Sequence, residues 1–355
     1  MESLSVGASK KYDVIIGRNI LNECGRLIKE VRTPCLAALI TDDIVSGLYS
    51  ETVERSLHDA GFTVVKYVFE NGEQHKNLEN FGRILDFLSE NGVSRSDLVI
   101  ALGGGVCGDI AGFAASAYLR GIGYVQIPTT FLAAIDSSVG GKTAIDLKAG
   151  KNLAGAFYQP ELVICDADTL STLKPKTFAD GAAEAIKYGI LKDPEIFDIF
   201  ARGEAREKLQ FIIRRSVEIK AGYVEEDEYD LGLRMFLNLG HTAGHAIEKL
   251  SCFSMTHGHA VAVGMCVAAD LSEKLGFCDG GLGDRIREVL LKNGLPVSAP
   301  FSAEEVGKAA LSDKKRSGGS IKLILPVSIG ECMIYETGAE ELPGLFGSSK
   351  ALKND

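Results

Sequence analysis

In its first half the chain alternates short apolar, β-branched runs with amphipathic stretches, as a parallel sheet wrapped by helices does. Strands are expected at Tyr12 to Ile16, Cys35 to Ile40, Thr63 to Phe69, Leu98 to Leu102, Tyr124 to Pro128 and Leu162 to Cys165. Between them apolar residues recur at helical spacing, as at Ile44, Leu48, Val53 and Leu57, or at Phe81, Leu85 and Leu88. After about Thr172 the periods lengthen, and helices are expected over Lys208 to Val224, Asn238 to Leu250, Ala260 to Leu275 and Leu282 to Lys292. Only Ile321 to Pro326 reads as a strand there. The pattern predicts an α/β domain over residues 1–172 and a mostly helical domain over 173–355, with a small, polar tail from Gly347 onward that frays.

Composition agrees with two ordinary globular cores: 355 residues, 46% of them hydrophobic. Charge changes the picture more. Thirty-eight basic against 48 acidic residues leave a net charge of -10, a field that repels nucleic acid and anionic membrane, so neither is an expected partner. An anionic ligand would have to be captured by a local cluster of Lys and Arg. The eight cysteines are scattered with no C-x-x-C pair, which favours reduced thiols. Met1 to Tyr12 lacks the apolar core of a signal peptide, and no window supplies the roughly 18 apolar residues of a spanning helix. A cytoplasmic location is expected.

Three local patterns carry chemistry. Leu98 to Leu102 runs into Gly103-Gly-Gly-Val-Cys-Gly-Asp109, a G-x-G-x-x-G turn between strand and helix. Glycines there let backbone N–H groups and a helix N-terminus approach a pyrophosphate, although a tight turn packed on a sheet needs glycines too. The acidic residue expected about 20 positions on, at the end of Tyr124 to Pro128, is missing, and Asp42 is the candidate replacement. Secondly, four of the six histidines fall within His241 to His259. His241 and His245, four apart, share a helix face and could both reach a metal such as zinc. Spacing leaves open which histidines bind, and Glu184 is a candidate carboxylate, though Glu184 with Lys187 is more often a surface pair. Thirdly, Lys142 and Lys151 sit among glycines and small hydroxyls, a setting that suggests ligand binding. Gly140-Gly-Lys-Thr143 is not a P-loop, because the first glycine of that motif would fall at Asp136.

Taken together these segments resemble the 3-dehydroquinate synthases over about residues 40–330. The matching stretches include Gly72-Glu-Gln-His-Lys76, Gly103 to Asp109, Arg120-Gly121, Gln126-Ile-Pro-Thr-Thr130, Asp136 to Thr143, Gly150-Lys-Asn152, Glu184-Ala-Ile-Lys-Tyr188, Leu237 to His245, His257-Gly258 and Asp313-Lys-Lys315. The resemblance implies a Rossmann-like NAD-binding domain, a helical metal- and substrate-binding domain, and an active site in the cleft. It implies zinc, with cobalt as an alternative, on Glu184, His241 and His257, with His245 acting in proton transfer. NAD would meet Asp42, Glu73, Lys76, Gly104, Gly105, Val106, Asp109, Thr129, Thr130, Lys151, Thr169 and Thr172. A sugar phosphate would meet Arg120, Asp136, Lys142, Asn152, Lys187, Lys220, Arg234, Asn238 and Lys314, with Lys142, Arg234, Asn238 and Asp230 also catalytic. A homodimer is implied as well.

The chain departs from the family pattern at Asn71, Cys107, Asp230 and His259, and only Asp230, one methylene shorter than the usual glutamate, touches an expected catalytic contact. A cyclase acting on sedoheptulose 7-phosphate shares the apparatus but needs no group for a substrate carboxylate, so Arg234, Asn238 and Lys220 argue against it. An iron-type polyol dehydrogenase would not need so many lysines. A non-catalytic sensor on the same fold would lose metal ligands, and none is lost here.

Overall fold

The computed structural model describes residues 1–314 and 319–353, the side chains of 312–314 excepted. It divides into two compact units, Met1–Leu173 with Lys220–Tyr229, and Lys174–Ile219 with Asp230–Asp355.

The first unit is built on strands β1 (Glu2–Val6), β2 (Tyr12–Gly17), β3 (Leu36–Asp42), β4 (Thr63–Phe69), β5 (Leu98–Gly103), β6 (Gly123–Pro128), β7 (Lys142–Leu147), β8 (Gly150–Phe157) and β9 (Leu162–Asp166). Seven of them form one sheet in the order β1-β2-β9-β6-β5-β3-β4, parallel except for β1. Helices α1 (Cys24–Val31), α2 (Asp43–Val45), α3 (Glu51–Ala60), α4 (Leu78–Glu90) and α5 (Gly105–Ala117) connect the strands. Alternation along β5 sends Leu98, Ile100 and Leu102 into one core and Val99 and Ala101 into the other, which is why the run is apolar throughout. After β4 the chain returns to the opposite side of β3 to form β5. That reversal opens a crevice at the carboxyl ends of β3 and β5, where α/β sheets hold ligands.

All six expected strands of the first half are present within about two residues of the expected ends. Three more were not anticipated. β1 pairs as an edge strand from a segment whose alternate residues face water. β7 and β8 form a separate antiparallel hairpin whose glycines and small residues disguise it as a loop. Gly140 to Thr143 leads into this hairpin, not into a phosphate-binding helix.

The second unit contains α6 (Pro175–Leu191), α7 (Pro194–Arg202), α8 (Leu209–Glu226), whose last residues belong to the first unit, α9 (His241–Leu250), α10 (His257–Leu275), α11 (Leu282–Lys292), α12 (Ala303–Lys314) and α13 (Leu342–Phe346). β10 (Ser320–Ser328) pairs with a strand the sequence hid, β11 (Glu331–Gly338), whose first four positions after Glu331 are only half-buried. Where it is described, up to Lys353, the tail is tied down, contrary to expectation. Asp270 on α10 accepts from Ser349 Oγ at 2.7 Å and from Lys350 N at 2.8 Å, and Ala351 and Leu352 are buried. Among the described residues no helix is long and apolar enough to cross a membrane.

Candidate active site

The glycine-rich turn lies at the carboxyl end of β5, and Gly104 caps α5 with extended backbone and no side-chain cap. A Cβ on Gly104 would come within 2.8 Å of Thr130 Cγ2, and one on Gly103 would lie 3.6 Å from Asp42 Oδ2. The turn therefore passes between a threonine pair and the Asp42 carboxylate at the end of the neighbouring strand. Asp42 also caps α2 by accepting from Val45 N at 2.9 Å, and burial raises its pKa. Thr129 N donates to Gly103 O at 2.9 Å, while Thr129 Oγ1 is buried with no hydrogen-bond partner. An uncapped helix N-terminus, a buried hydroxyl without a partner and a carboxylate at the switch point suit a dinucleotide's phosphates and ribose.

Beside this turn Lys76 Nζ, 4% exposed, reaches Asp109 Oδ2 and Asn152 Oδ1, each at 2.5 Å. Asn152 is held in left-handed conformation, φ 56°, with its N–H on Asp146 Oδ1 at 2.8 Å. Lys151 Nζ lies 3.7 Å from Glu73 Oε1, and Lys220 Nζ lies 2.9 Å from Asp136 Oδ1. Thr169 Oγ1 donates to Asp166 O, and Thr172 Oγ1 shares a 2.6 Å hydrogen bond with Tyr49 Oη. Lys142 and Arg120 are exposed, Arg120 in left-handed conformation at φ 68°, and Val106 packs against the core. Every expected NAD residue, with Arg120, Asp136, Lys142, Asn152 and Lys220, thus belongs to the first unit.

Burial pushes the Asp109 carboxyl up to about 6, against the pull of Lys76. An unfolded aspartate titrates at roughly 3.9, so between these values the folded chain keeps a proton that the unfolded chain has lost. This group's stabilisation is complete below the lower value and gone once the pH has risen through about 6. Urea unfolding from pH 4 to 7 should accordingly show a steeper fall in stability for the wild type than for Asp109→Asn. Parallel curves would remove Asp109 as the source.

The second unit gathers the rest. α6 carries Glu184 and Lys187, one turn apart and 0% and 1% exposed. They are ion-paired through Glu184 Oε2, not the surface pair that sequence reading favours. The other carboxylate oxygen, Oε1, faces His241 Nε2 at 3.5 Å and His257 Nε2 at 3.4 Å. Ligand atoms of Glu184, His241 and His257 lie within 4.8 Å of one another. His241 Nδ1 sits 3.1 Å from the carbonyl of Leu239, which Gly240 at φ 78° turns back toward the ring. A carbonyl only accepts, so Nδ1 carries the proton and Nε2 presents its lone pair to Glu184.

Electrostatics point the same way. Burial, helped by the charge of Lys187, pulls His241 down to about 3. At His257 burial also opposes charge, but hydrogen bonds to Glu184 and Glu248 overcome it and hold the ring's proton up to about 10. The space between one carboxylate oxygen and two Nε2 atoms therefore attracts positive charge. One carboxylate and two imidazoles suit a divalent zinc-type cation.

His245 is exposed, its ring 5.2 Å from that of His241. With Asn238, His241, Thr242 and Lys249 it lines a cavity of about 220 Å³. Arg234 is 2% exposed on a short 3₁₀ helix, Leu233–Asn238. Asn238 ends that helix and does not begin α9, as periodicity suggested, because Gly240 breaks the chain into a left-handed turn first. Asp230 is half-buried, with φ 58°. Lys314 lies outside the described side chains.

Sequence reading missed Glu248, 4% exposed, whose Oε2 lies 3.1 Å from His257 Nδ1. The signal was available, since Glu248 follows His241 by seven residues on the same face of α9. It also missed Asp180, which accepts from His259 N at 3.2 Å and faces His259 Nδ1 at 2.9 Å, tying α6 to the first turn of α10.

Residues 66–180 match the family model described as 3-dehydroquinate synthase N-terminal, and residues 181–316 match its C-terminal counterpart. The chain is 43% identical over 344 residues to a 3-dehydroquinate synthase of Pelobacter propionicus, covering 95% of this chain and 96% of that one. To the 3-dehydroquinate synthase of Streptococcus suis (strain 05ZYH33) it is 41% identical over 338 residues, 93% and 95% of the two chains. Among solved structures, 2-epi-5-epi-valiolone synthase from Streptomyces hygroscopicus, with NAD+ and Zn2+ bound, is similar at TM-score 0.86 and 27% identity, covering 94% and 95%.

Proposed function

We propose, from the premise that the chain belongs to the 3-dehydroquinate synthase family, that it converts 3-deoxy-D-arabino-heptulosonate 7-phosphate to 3-dehydroquinate and phosphate. The reaction is a transient oxidation at C5, loss of phosphate, re-reduction, ring opening and intramolecular aldol closure. The observation that carries this reading is the convergence of Glu184, His241 and His257 in a chain that also keeps a dinucleotide turn at its switch point. When bound, NAD would supply reversible hydride acceptance and the divalent metal would supply Lewis acidity at the oxygen borne by the carbon being oxidised.

The chain's own residues do the rest. Glu184, His241 and His257 hold the metal, and the Lys187 ammonium beside Glu184 tempers the buried negative charge. His245, one turn from His241 and open to the cavity, moves the proton of the substrate hydroxyl. Lys142, Asn152 and Lys187 take the phosphate; Arg234, with Lys220 and Asn238 nearby in the chain, takes the carboxylate. Asp136 orients Lys220 through a 2.9 Å contact. Arg120 serves the substrate's anionic end, and Asp230 stands in for the usual glutamate. The dinucleotide would be held by Gly104, Gly105 and Val106, with Asp42 available to a ribose, and by Glu73, Lys76, Asp109, Thr129, Thr130, Lys151, Thr169 and Thr172. Eight unpaired cysteines suit a cytoplasmic enzyme, and a homodimer follows from the family resemblance.

The test is phosphate release from substrate carrying deuterium at C5, with NAD supplied in an amount equal to the substrate. One phosphate per substrate, deuterium retained at the corresponding product carbon and no accumulated NADH are expected. Stoichiometric NADH without phosphate would make the enzyme a dehydrogenase and sink the cyclase reading.

A further inference from the structure

A histidine that donates Nε2 to a cation needs its other nitrogen tied to an acceptor, or the ring is free to flip and change tautomer. His241 meets that need within its own segment, through the Leu239 carbonyl at 3.1 Å. His257 is the first residue of α10 and its Nδ1 is met from another helix, by Glu248 Oε2 on α9 at 3.1 Å, while its Nε2 lies 3.4 Å from Glu184 Oε1. The ring thus stands between two buried carboxylates, one on each nitrogen, and only one of them can be the ligand on the cation's side. Glu248 is 4% exposed, and a carboxylate is not kept there without a task that offsets its desolvation.

We propose that Glu248 is a positioning residue that fixes the Nδ1–H tautomer and the ring plane of His257, so that Nε2 completes the cation site with Glu184 and His241. The inference rests on the metal-site reading above. A competing arrangement exists: His245, Glu248 and His257 also bring ligand atoms within 4.8 Å, which would make Glu248 a direct ligand. The Glu184 set is favoured because the lone pair that the Leu239 carbonyl frees on His241 Nε2 points to Glu184.

The experiment measures the zinc dissociation constant of the full chain, stripped with a chelator, by competition with a chromophoric chelator. Glu248→Ala should weaken zinc binding by about 10- to 100-fold. Glu248→Gln, whose amide oxygen still accepts from Nδ1–H, should stay within a few-fold of wild type, and the metal-free proteins should unfold at the same temperature. Side-chain ¹⁵N spectra of the zinc-loaded wild type, which need no substitution, should show His257 protonated on Nδ1 and coordinated through Nε2. Wild-type affinity in Glu248→Ala, equal weakening in both variants, or coordination through Nδ1 would overturn the proposal. A failure of the underlying metal reading looks different: the wild type takes up no zinc, or His241→Ala holds it as tightly as wild type.

Discussion

Replacing His257 with alanine should empty the metal site and lower phosphate release by roughly a thousandfold. The Glu184 carboxylate is shared between Lys187 on one oxygen and the two imidazoles on the other. With His257 gone, one neutral imidazole and a carboxylate already half-neutralised by Lys187 remain, too little to hold a divalent ion against water. A bound metal acting as Lewis acid contributes several kcal/mol to the transition state, and about 4 kcal/mol corresponds to roughly a thousandfold in rate. Elemental analysis of purified wild type and variant, alongside phosphate release, checks both halves. Full metal content with unchanged turnover in His257→Ala would take His257 out of the site.

How far this site was legible in the sequence depended on whether its signals were local. β3, β5 and β6 are buried on both faces, so each reads as an unbroken apolar run ending at the residues that matter, Asp42, Gly103 and Pro128. The β7–β8 hairpin was illegible because its partly exposed faces carry Gly, Ala, Lys and Asn, the residues of loops; the same composition points to Lys142 and Lys151 as ligand-binding residues although they lie on strands. In the second unit the histidine spacing suggested His241 with His245, yet the Nε2 atoms facing Glu184 are those of His241 and His257. Nothing local announces that choice. It follows from the first turn of α10 being set against α6 by His259 and Asp180, a contact between residues 79 apart in the chain. The burial of Lys187 was hidden for the same reason, since an i,i+3 Glu–Lys pair looks alike on a solvated face and in a core.

Arg234→Lys should lower kcat/KM for the heptulosonate phosphate by about 100-fold while metal content and thermal midpoint stay close to wild type. Arg234 is 2% exposed and lies on the 3₁₀ helix that ends at Asn238, itself on the wall of the cavity shared with His241 and His245. A guanidinium presents two parallel N–H donors to a carboxylate; an ammonium keeps the charge but offers a single point contact. Hydrogen bonds to charged groups are worth about 1.5–3 kcal/mol each, so losing one of a pair predicts roughly ten- to a hundredfold, with the buried setting favouring the upper end. The loss should depend on the substrate's carboxylate. Sedoheptulose 7-phosphate, which lacks that group, serves as the control, and any binding it shows should be equal in the two proteins. Equal kcat/KM for the heptulosonate phosphate in wild type and variant would remove Arg234 from carboxylate recognition. An equal loss of affinity for the carboxylate-free ligand would instead make the residue a structural support of the 3₁₀ turn, because a defect in the turn weakens every ligand of the cavity alike.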